Sequence, residues 1–353
     1  PTRRSSDLLF GAFDRHNLGD LLLAHMAAAE TAPRPVVFAG LAERDLSARG
    51  GHTVRALPAL AAEWGERRAD LLHVGGELLA CDSYAAAVML QTPTEAEAIV
   101  ARLDRDPGAR ERWARDTLGT SARLPYLAAK SLFSNPGRFE YRAVGGVDLD
   151  RLPAATRAEA LARLREADAI SVRDPVTQGH LAAAGIAARL EADPVSRIAS
   201  LFAARVRRHA GQGEVARVRA TFPNGYVAAQ FAAEYGDDAS LAPLAADLDA
   251  LAGARGLVLF RAGAAPWHDD LGVYRRLAER LPRGRIHLFQ SLDVWDICAL
   301  LAGAQGYCGG SLHGGIVATA YGLASRPLPL PAPTGKLAAY ARTWWAASGF
   351  KAA

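Results

Sequence analysis

The stretch Gly306-Tyr307-Cys308-Gly309-Gly310-Ser311-Leu312-His313-Gly314-Gly315-Ile316-Val317-Ala318 has the order of a buried strand, a tight turn and a helix. A short apolar run ends in two glycines, and Ser311 stands where it can cap the helix that follows. Free amides and the positive end of the helix dipole favour an anion at such a turn, and Gly314 and Gly315 would let it approach the backbone. His313 would add a titratable group beside the anion. The stretch therefore predicts an α/β fold and chemistry on a small molecule that carries phosphate or carboxylate.

The composition is that of a folded protein long enough for two domains. The chain has 353 residues, of which 50% are hydrophobic and 22% charged, and this balance excludes a largely disordered protein. No apolar run approaches the roughly 20 residues that a membrane-spanning helix needs. Cys81, Cys298 and Cys308 form no CxxC pair, so neither a disulfide framework nor a zinc site is expected, and a reducing cytoplasm fits best.

The formal net charge of +4 is weak evidence for a nucleic-acid partner. Only three of the 41 basic residues are lysines (Lys130, Lys336 and Lys351), and the arginines are scattered, often beside acidic residues. This pattern is typical of solvated helix faces rather than of a basic stripe. Because arginine is the default cation of this chain, Lys336 gains interest as a residue required for itself, although chance in an exposed loop also explains it.

Strand-like runs alternate with helical patterns along the chain, which indicates parallel, doubly wound sheets. The predicted strands are 9–13, 36–39, 71–74, 141–147 and 169–172 and, after a restart of the pattern, 226–231, 257–260, 286–289 and 307–308. We expect two Rossmann-like domains facing a cleft, 9–200 and 215–353, the first with a helical insertion around 83–135. Residues 1–8 (PTRRSSDL) resemble a translated sequencing adapter, and we interpret them as non-native.

Four stretches follow predicted strands, where α/β sheets bind their ligands. They are Asp14-Arg15-His16-Asn17-Leu18-Gly19-Asp20, Gly75-Gly76-Glu77, Ser171-Val172-Arg173-Asp174-Pro175 and the turn from Ser311 to Gly314. A fifth candidate is Trp267-His268-Asp269-Asp270. In this stretch we expect Asp269 to cap the following helix and His268 to face the mouth of the second domain.

Each stretch also has a purely structural explanation. Gly19 and Asp20 suit a tight turn followed by a helix cap, and a glycine pair after a strand can be only a turn. Asp174 and Pro175 form a strong helix start. This leaves Arg173 at the strand tip, where its planar fork suits a carboxylate or phosphate unless it is merely solvated. A lone histidine at a helix start is commonly a cap or a surface residue.

Taken in order, these motifs resemble those of the polysaccharide pyruvyl transferase family. The matching residues are Asn17-Leu18-Gly19-Asp20 for an N-x-G-D signature, Ser171-Val172-Arg173-Asp174 with Gly185 and Asp193-Pro194 for a central block, and Ser311-Leu312-His313-Gly314 with Ala318, Gly322 and Lys336 for a C-terminal block. Each motif is short, and the specificity lies in their order and spacing over nearly the whole chain from Leu9. One departure is Ser311, because many members have arginine before Leu-His.

The resemblance implies a GT-B-like fold of two Rossmann-like domains and a bacterial enzyme of exopolysaccharide and cell-envelope biosynthesis. Such an enzyme transfers pyruvate from phosphoenolpyruvate onto a sugar, free or lipid-linked, releases phosphate and leaves a pyruvyl ketal. On this basis we assign His313 to acid/base work or to phosphate contact. The implied donor-side residues are Arg173, Ser311, Gly314, Gly315 and Lys336, and the implied acceptor-side residues are Asn17, Gly19, Asp20, Glu77 and His268.

Two other functions stay open at this point. The same architecture would suit a nucleotide-sugar glycosyltransferase, and Ser311 in place of arginine is compatible with a non-catalytic member that binds a glycan or nucleotide. We expect no cofactor and no nucleic-acid partner. We also expect no metal, since no carboxylate–histidine cluster stands out in the sequence. We expect a cytoplasmic protein. A peripheral association with the inner face of the membrane is compatible with this location.

Overall fold

The computed structural model of the chain describes residues 7–232, 236–326 and 335–345. The chain divides into two compact units. Unit 1 extends to His16 and resumes from Asp20 to Pro194, whereas unit 2 comprises Asn17–Gly19 and the chain from Val195 onward. Residues 1–6 of the segment interpreted as non-native lie outside the described residues.

Unit 1 is built on an eight-stranded sheet. Its strands are β1 (Asp7–Phe10), β2 (Val36–Gly40), β3 (Arg44–Asp45), β4 (Thr53–Ala56), β5 (Ala69–Val74), β6 (Pro136–Val144), β7 (Ala169–Val172) and β8 (Arg189–Leu190). They lie in the order β3-β4-β2-β1-β5-β6-β7-β8, and all neighbours are parallel except β3 and β4. The order from β4 to β7 is that of a Rossmann fold, whose direction of winding changes between β1 and β5.

Helices connect these strands. They are α1 (Leu18–Thr31), α2 (Leu57–Trp64), α3 (Ser83–Met89), α4 (Pro93–Leu103), α5 (Pro107–Leu118), α6 (Ala154–Arg165) and α7 (Pro175–Ala183). Helices α3 to α5 lie between β5 and β6, in the region of the predicted helical insertion. The sequence explains where they begin, because Asp82, Thr92 and Asp106 each accept a hydrogen bond from the backbone of the first turn.

Unit 2 is built on a five-stranded, fully parallel sheet. Its strands are β9 (Tyr226–Gln230), β10 (Gly256–Leu259), β11 (Ile286–Leu288), β12 (Gly306–Gly309) and β13 (Ser325–Arg326), in the order β11-β10-β9-β12-β13. Its helices are α8 (Ile198–Leu201), α9 (Ala203–Ala210), α10 (Gly213–Thr221), α11 (Asp238–Ala252), α12 (Leu271–Ala278), α13 (Val294–Gly303), α14 (Leu312–Ala320) and α15 (Gly335–Trp344). The winding changes direction between β9 and β12, which is where ligands of such sheets bind.

Apolar residues of strands and helices form a core in each unit. In unit 1, fully buried Leu8 and Phe10 of the central strand belong to the same cluster as Leu164 of α6. In unit 2, Leu259 of β10 clusters with Leu248 of α11. Burying such side chains contributes roughly 1.5–3 kcal/mol each. No helix in the described ranges has both the length and the apolar character that crossing a membrane requires.

The α/β class and a Rossmann-like sheet in each unit are confirmed. Three details differ from the sequence-based expectations. Strand β1 begins at Asp7, so Asp7 and Leu8 of the segment interpreted as non-native are part of the sheet, paired with Val36 and Val37. Residues 201–214, left between the predicted domains, are largely helical and belong to unit 2. Several strands of two residues, such as β8, are too short to leave a recognisable alternation in the sequence.

Candidate functional site

The turn between β12 and α14 in unit 2 has the structure that the sequence predicts. Ser311 is the N-cap of α14, and its hydroxyl oxygen accepts a hydrogen bond from the amide of Gly314 at 3.1 Å. The carbonyl oxygen of Ser311 accepts a second bond, from the amide of Gly315 at 3.0 Å. The predicted cap is therefore confirmed, and it orients the first turn of the helix, which carries His313.

The roles of Gly314 and Gly315 differ from the expectation. Their amides are not free, because both donate to Ser311. The space beside them is also filled: a Cβ at Gly314 would lie 2.5 Å from the Tyr307 hydroxyl, and one at Gly315 would lie 2.6 Å from the Trp345 ring. Glycine is required here for packing within the unit. Binding of an anion by these amides stays a prediction that would require the cap to open.

His313 is buried, with 9% of its surface exposed, and lies against the backbone of Gly19. A Cβ at Gly19 would overlap the imidazole at Nδ1, Cε1 and Cγ. Asn17 shapes the same turn, because its side-chain oxygen accepts a hydrogen bond from the Gly19 amide at 2.9 Å. Two motifs separated by almost three hundred residues therefore meet at one imidazole.

The segment Asn17–Gly19 is fixed within unit 2 by the loop after β10. The amide of Leu18 donates to the carbonyl oxygen of Ala262 at 2.7 Å, and Asn17 forms an isolated antiparallel bridge with Gly263. We had expected this motif to belong wholly to the first domain. Its first three residues group with unit 2 instead, because their backbone partners are there, and only Asp20 belongs to unit 1.

A hydrogen-bonded network at the carboxyl ends of β9 and β12 supports the turn. Gln230, the buried last residue of β9, accepts a bond from the amide of Ser311 at 2.8 Å. Its side-chain amide donates to Asp269 at 2.7 Å. Asp269 also accepts from the amides of Ala262 at 2.5 Å and Gly263 at 3.3 Å. One carboxylate therefore ties the loop that holds Asn17–Gly19 to the turn that carries the histidine.

Asp269 is 8% exposed, and burial raises its pKa to about 7, against the lowering effect of its hydrogen-bond donors. The expectation that Asp269 caps the next helix is wrong. Asp270 is the N-cap of α12 and accepts from the amides of Gly272 and Val273. The carboxyl group of Asp269 points instead into the network that supports the histidine turn, and its protonation changes near neutral pH.

His268 lies in the same loop, with Nδ1 3.0 Å from the carbonyl oxygen of Pro266. Its ring packs on Gly263, where a Cβ would lie 2.7 Å from His268 Cδ2. The structure thus brings together in unit 2 seven of the predicted site residues: Asn17, Gly19, His268, Ser311, His313, Gly314 and Gly315.

Arg173 and Glu77 lie in unit 1, in a buried ion-pair cluster. Arg173 is 2% exposed and donates to Glu77 at 3.0 Å and to Asp193 at 3.2 Å. Burial lowers the pKa of the guanidinium, but the two carboxylates outweigh it and the net shift is upward. The other oxygen of Glu77 accepts from the amide of Val147 at 2.8 Å. Two negative charges already face this arginine, so the cluster accounts for Arg173 without a donor ligand.

Asp20 and Lys336 occupy two further places. Asp20, in unit 1, lies 3.7 Å from the Nε atom of Arg15, and its carboxylate fills the space beside Gly76, which has a positive φ of 72°. Lys336 is exposed in the first turn of α15. The donor-side role of Lys336 and the acceptor-side role of Asp20 stay predictions.

One group within the described residues could in principle hold a cation. Ligand atoms of His209, Asp293 and Asp296 lie within 4.8 Å of one another. Hydrogen bonds explain this cluster: Asp293 caps α13, and Asp296 accepts from the Ser291 hydroxyl at 2.6 Å and lies 2.6 Å from His209 Nδ1. We therefore assign it to the start of the helix.

A profile of the polysaccharide pyruvyl transferase family matches residues 150–328, just over half of the chain. The matched region contains Arg173, Asp269 and the His313 turn. The chain belongs to the polysaccharide pyruvyl transferase family. No curated protein sequence matches it.

Several solved structures with low sequence identity align with this family member over most of its length. UDP-GlcNAc 2-epimerase from Methanocaldococcus jannaschii is 10% identical, with 91% of this chain and 83% of the epimerase covered and a TM-score of 0.48. Trehalose 6-phosphate synthase from Burkholderia multivorans is 14% identical, with 96% and 85% covered and a TM-score of 0.47. E. coli ADP-heptose heptosyltransferase II is 12% identical, with 91% and 84% covered and a TM-score of 0.39.

Sequence reasoning missed Gln230 and gave Asp269 the wrong role. A glutamine that ends the otherwise apolar strand Tyr226–Gln230 is the signal that could have found the first residue. The role of Asp269 depends on a loop that folds back onto the end of its own strand, and adjacent Asp269 and Asp270 are indistinguishable as caps in the sequence.

Proposed function

We propose that this transferase moves a pyruvyl group from phosphoenolpyruvate onto a sugar of a cell-surface polysaccharide or its precursor, with release of phosphate. The observation that carries the proposal is a contact within unit 2: Gly19 packs against the imidazole of His313, which lies in the first turn of the helix that Ser311 caps. Family membership supports the transferase class. The proposal includes phosphoenolpyruvate as the donor, a pyruvyl ketal as the product and a location at the cytoplasmic face of a membrane.

The chemistry requires one proton donor and two proton acceptors. A proton added to C3 of the enol turns the methylene into a methyl group and leaves positive charge at C2. One sugar hydroxyl bonds to C2 and loses its proton. The bond from C2 to the bridging oxygen then breaks, and phosphate leaves with that oxygen. A second hydroxyl bonds to C2 to close the ketal and gives up its proton, which the departing phosphate takes up. His313 can serve one of these proton transfers, since the ring nitrogens of an imidazole can both donate and accept a proton.

The surroundings of the histidine suit general acid–base catalysis. The imidazole is buried and packs against Gly19, and such packing favours a pre-organised position. The carboxyl group of Asp269 supports the same turn through Gln230 and is itself close to its protonation midpoint at neutral pH. A fixed proton-transfer group is what an enol protonation needs.

Phosphate release tests the proposal directly. The protein is incubated with phosphoenolpyruvate and a panel of glycosides, and inorganic phosphate and the methyl signal of a ketal are measured. In parallel, thermal shift is recorded with phosphoenolpyruvate and with nucleotide sugars, since a ligand at 100 times its dissociation constant adds about 2.7 kcal/mol to stability. Stabilisation by nucleotide sugars alone, without phosphate release, would favour the glycosyltransferase. Binding of glycans without turnover of either donor would favour a non-catalytic member.

A further inference from the structure

Trp267 occupies a backbone position that turn chemistry reserves for glycine. Ala265-Pro266-Trp267-His268 forms a turn closed by a hydrogen bond from the His268 amide to the Ala265 carbonyl oxygen, at 3.1 Å. Proline at the second position and φ of +63° at the third define a type II turn. The third position of such a turn favours glycine, because other residues are strained there. A tryptophan in this place carries strain of about 1–3 kcal/mol.

Burial does not compensate this strain in the usual way. Trp267 is 50% exposed, more than any other large hydrophobic residue in the described part of the chain. The other tryptophans are buried or partly buried: Trp64, Trp113, Trp295, Trp344 and Trp345. A strained and exposed tryptophan departs both from the conformational preference of its turn position and from the usual burial of aromatic side chains. Such departures concentrate at functional sites.

The loop that carries Trp267 is rigid and belongs to the His313 site. Asp269 closes its base, because the Asp269 amide donates to the Gly263 carbonyl oxygen at 3.1 Å and the carboxylate accepts from Ala262 and Gly263. The same two residues pair with the segment Asn17–Gly19, which contacts the imidazole. The loop also follows β10, at the edge of the sheet where α/β folds bind ligands. Trp267 is thus a half-exposed ring on a loop whose base pairs with Asn17–Gly19.

We propose that Trp267 is the stacking platform for a pyranose ring of the acceptor. The C–H bonds on the flat face of a pyranose carry partial positive charge and pack against the negative face of an aromatic ring. A rigid indole presents that face without the entropic cost of ordering a flexible side chain. The inference rests on the proposed function for the identity of the acceptor. A nucleobase could also stack on an indole, but the chain belongs to a polysaccharide-modifying family, which favours the sugar.

Three variants of the full-length protein separate binding from stability. Trp267→Gly removes the ring and relieves the strain, Trp267→Ala removes the ring and keeps the strain, and Trp113→Phe, on α5 of unit 1, is the matched control. We expect Trp267→Gly to melt at the same temperature as the parent or higher, and above Trp267→Ala. Both should raise the KM for the glycoside acceptor roughly 10-fold, while kcat and phosphoenolpyruvate binding stay unchanged. The control should change none of these.

A second measurement does not depend on turnover. Titration with methyl β-galactopyranoside, methyl β-glucopyranoside and methyl α-mannopyranoside should change the intrinsic fluorescence of the parent and of Trp113→Phe, but not of Trp267→Gly. A fluorescence response to UMP or to anionic lipid vesicles without one to the pyranosides would overturn the proposal. So would an unchanged acceptor KM in both Trp267 variants. If phosphoenolpyruvate releases no phosphate but a pyranoside still quenches Trp267, the platform stands and the pyruvyl-transfer proposal fails.

Discussion

Single residues at the site are explained by their neighbours more than by a ligand. Gly19, Gly314 and Gly315 face His313, Tyr307 and Trp345, so side chains from three parts of unit 2 require glycine at these positions. The sequence shows that glycine is present at these positions. It cannot show whether a ligand or a distant side chain occupies the space that a Cβ would otherwise fill. The N-cap role of Ser311 was predictable because it depends only on residues up to four positions away.

Replacing Gly19 by alanine should displace the imidazole, because the added methyl group would overlap it. We expect the catalytic rate to fall and the free energy of unfolding to fall by roughly 1–3 kcal/mol, as for other overpacked sites. Gly179→Ala on α7 is the control, since a Cβ there meets nothing within 4 Å and should be neutral or stabilising. Initial rates and urea unfolding measure both effects. Unchanged rate and stability in Gly19→Ala would show that His313 is mobile.

Replacing His313 tests its chemical role. His313→Ala should lower the rate of phosphate release by roughly 10²–10⁴-fold while the protein stays folded, because a positioned proton-transfer group is lost. His313→Gln should not restore the rate, since an amide cannot titrate. Circular dichroism checks the fold of both variants. Near-normal turnover in a folded His313→Ala protein would leave the histidine as a packing partner of Gly19.

At the scale of secondary-structure elements, the ends of parallel strands carry the polar networks of both units. Gln230 ends β9 and Arg173 follows β7, and each is buried and joined to an aspartate from a later loop. The strands were predictable from their apolar runs, and so was the helix start at Asp174-Pro175. The partners Asp193 and Asp269 were not, because they reach these positions through loops whose course the local sequence does not determine.

Removing Arg173 should destabilise unit 1 whether or not it binds a donor. Arg173→Ala leaves Glu77 and fully buried Asp193 without their cation, and breaking such a buried pair costs roughly 3–5 kcal/mol. The control is Arg151→Ala, which breaks an exposed pair with Asp148 and should cost only about 0–1 kcal/mol. Urea denaturation compares the two. Equal stability losses would mean that the Arg173 cluster is well solvated.

Asp269 should make stability depend on pH in a direction opposite to that of most carboxylates. Its pKa in the folded protein is about 7, above the ordinary value of 3.8, so the folded state holds the proton more tightly than the unfolded state. Its contribution to stability is therefore largest below pH 4 and is lost as the pH rises towards about 7. In urea titrations between pH 4 and 8, the parent should lose stability relative to Asp269→Asn across this window. A constant difference would place the pKa of Asp269 near its ordinary value.

At the scale of the whole molecule, the chain does not divide at one point. Residues 17–19 belong to unit 2, although the strand before them and most of α1 after them belong to unit 1. The sequence predicts two consecutive domains because the βα pattern restarts after residue 225. It carries no local signal that three residues near the amino terminus pair with Ala262 and Gly263, since such pairing depends on tertiary contacts.

Hydrogen exchange of the full-length protein tests this division. The Leu18 amide donates to Ala262, so its protection should depend on the stability of unit 2. Leu248→Ala in α11 and Leu164→Ala in α6 are a matched pair of helical leucines, each 1% exposed, whose truncation costs roughly 2–5 kcal/mol. We expect Leu248→Ala to accelerate exchange in the peptide covering residues 17–19 together with peptides of β9 and β10, and Leu164→Ala to accelerate β1 and β5 more than that peptide. If residues 17–19 respond like β1 in both variants, they open with unit 1. The packing of Gly19 on His313 would then be too weak to hold the imidazole in place for proton transfer.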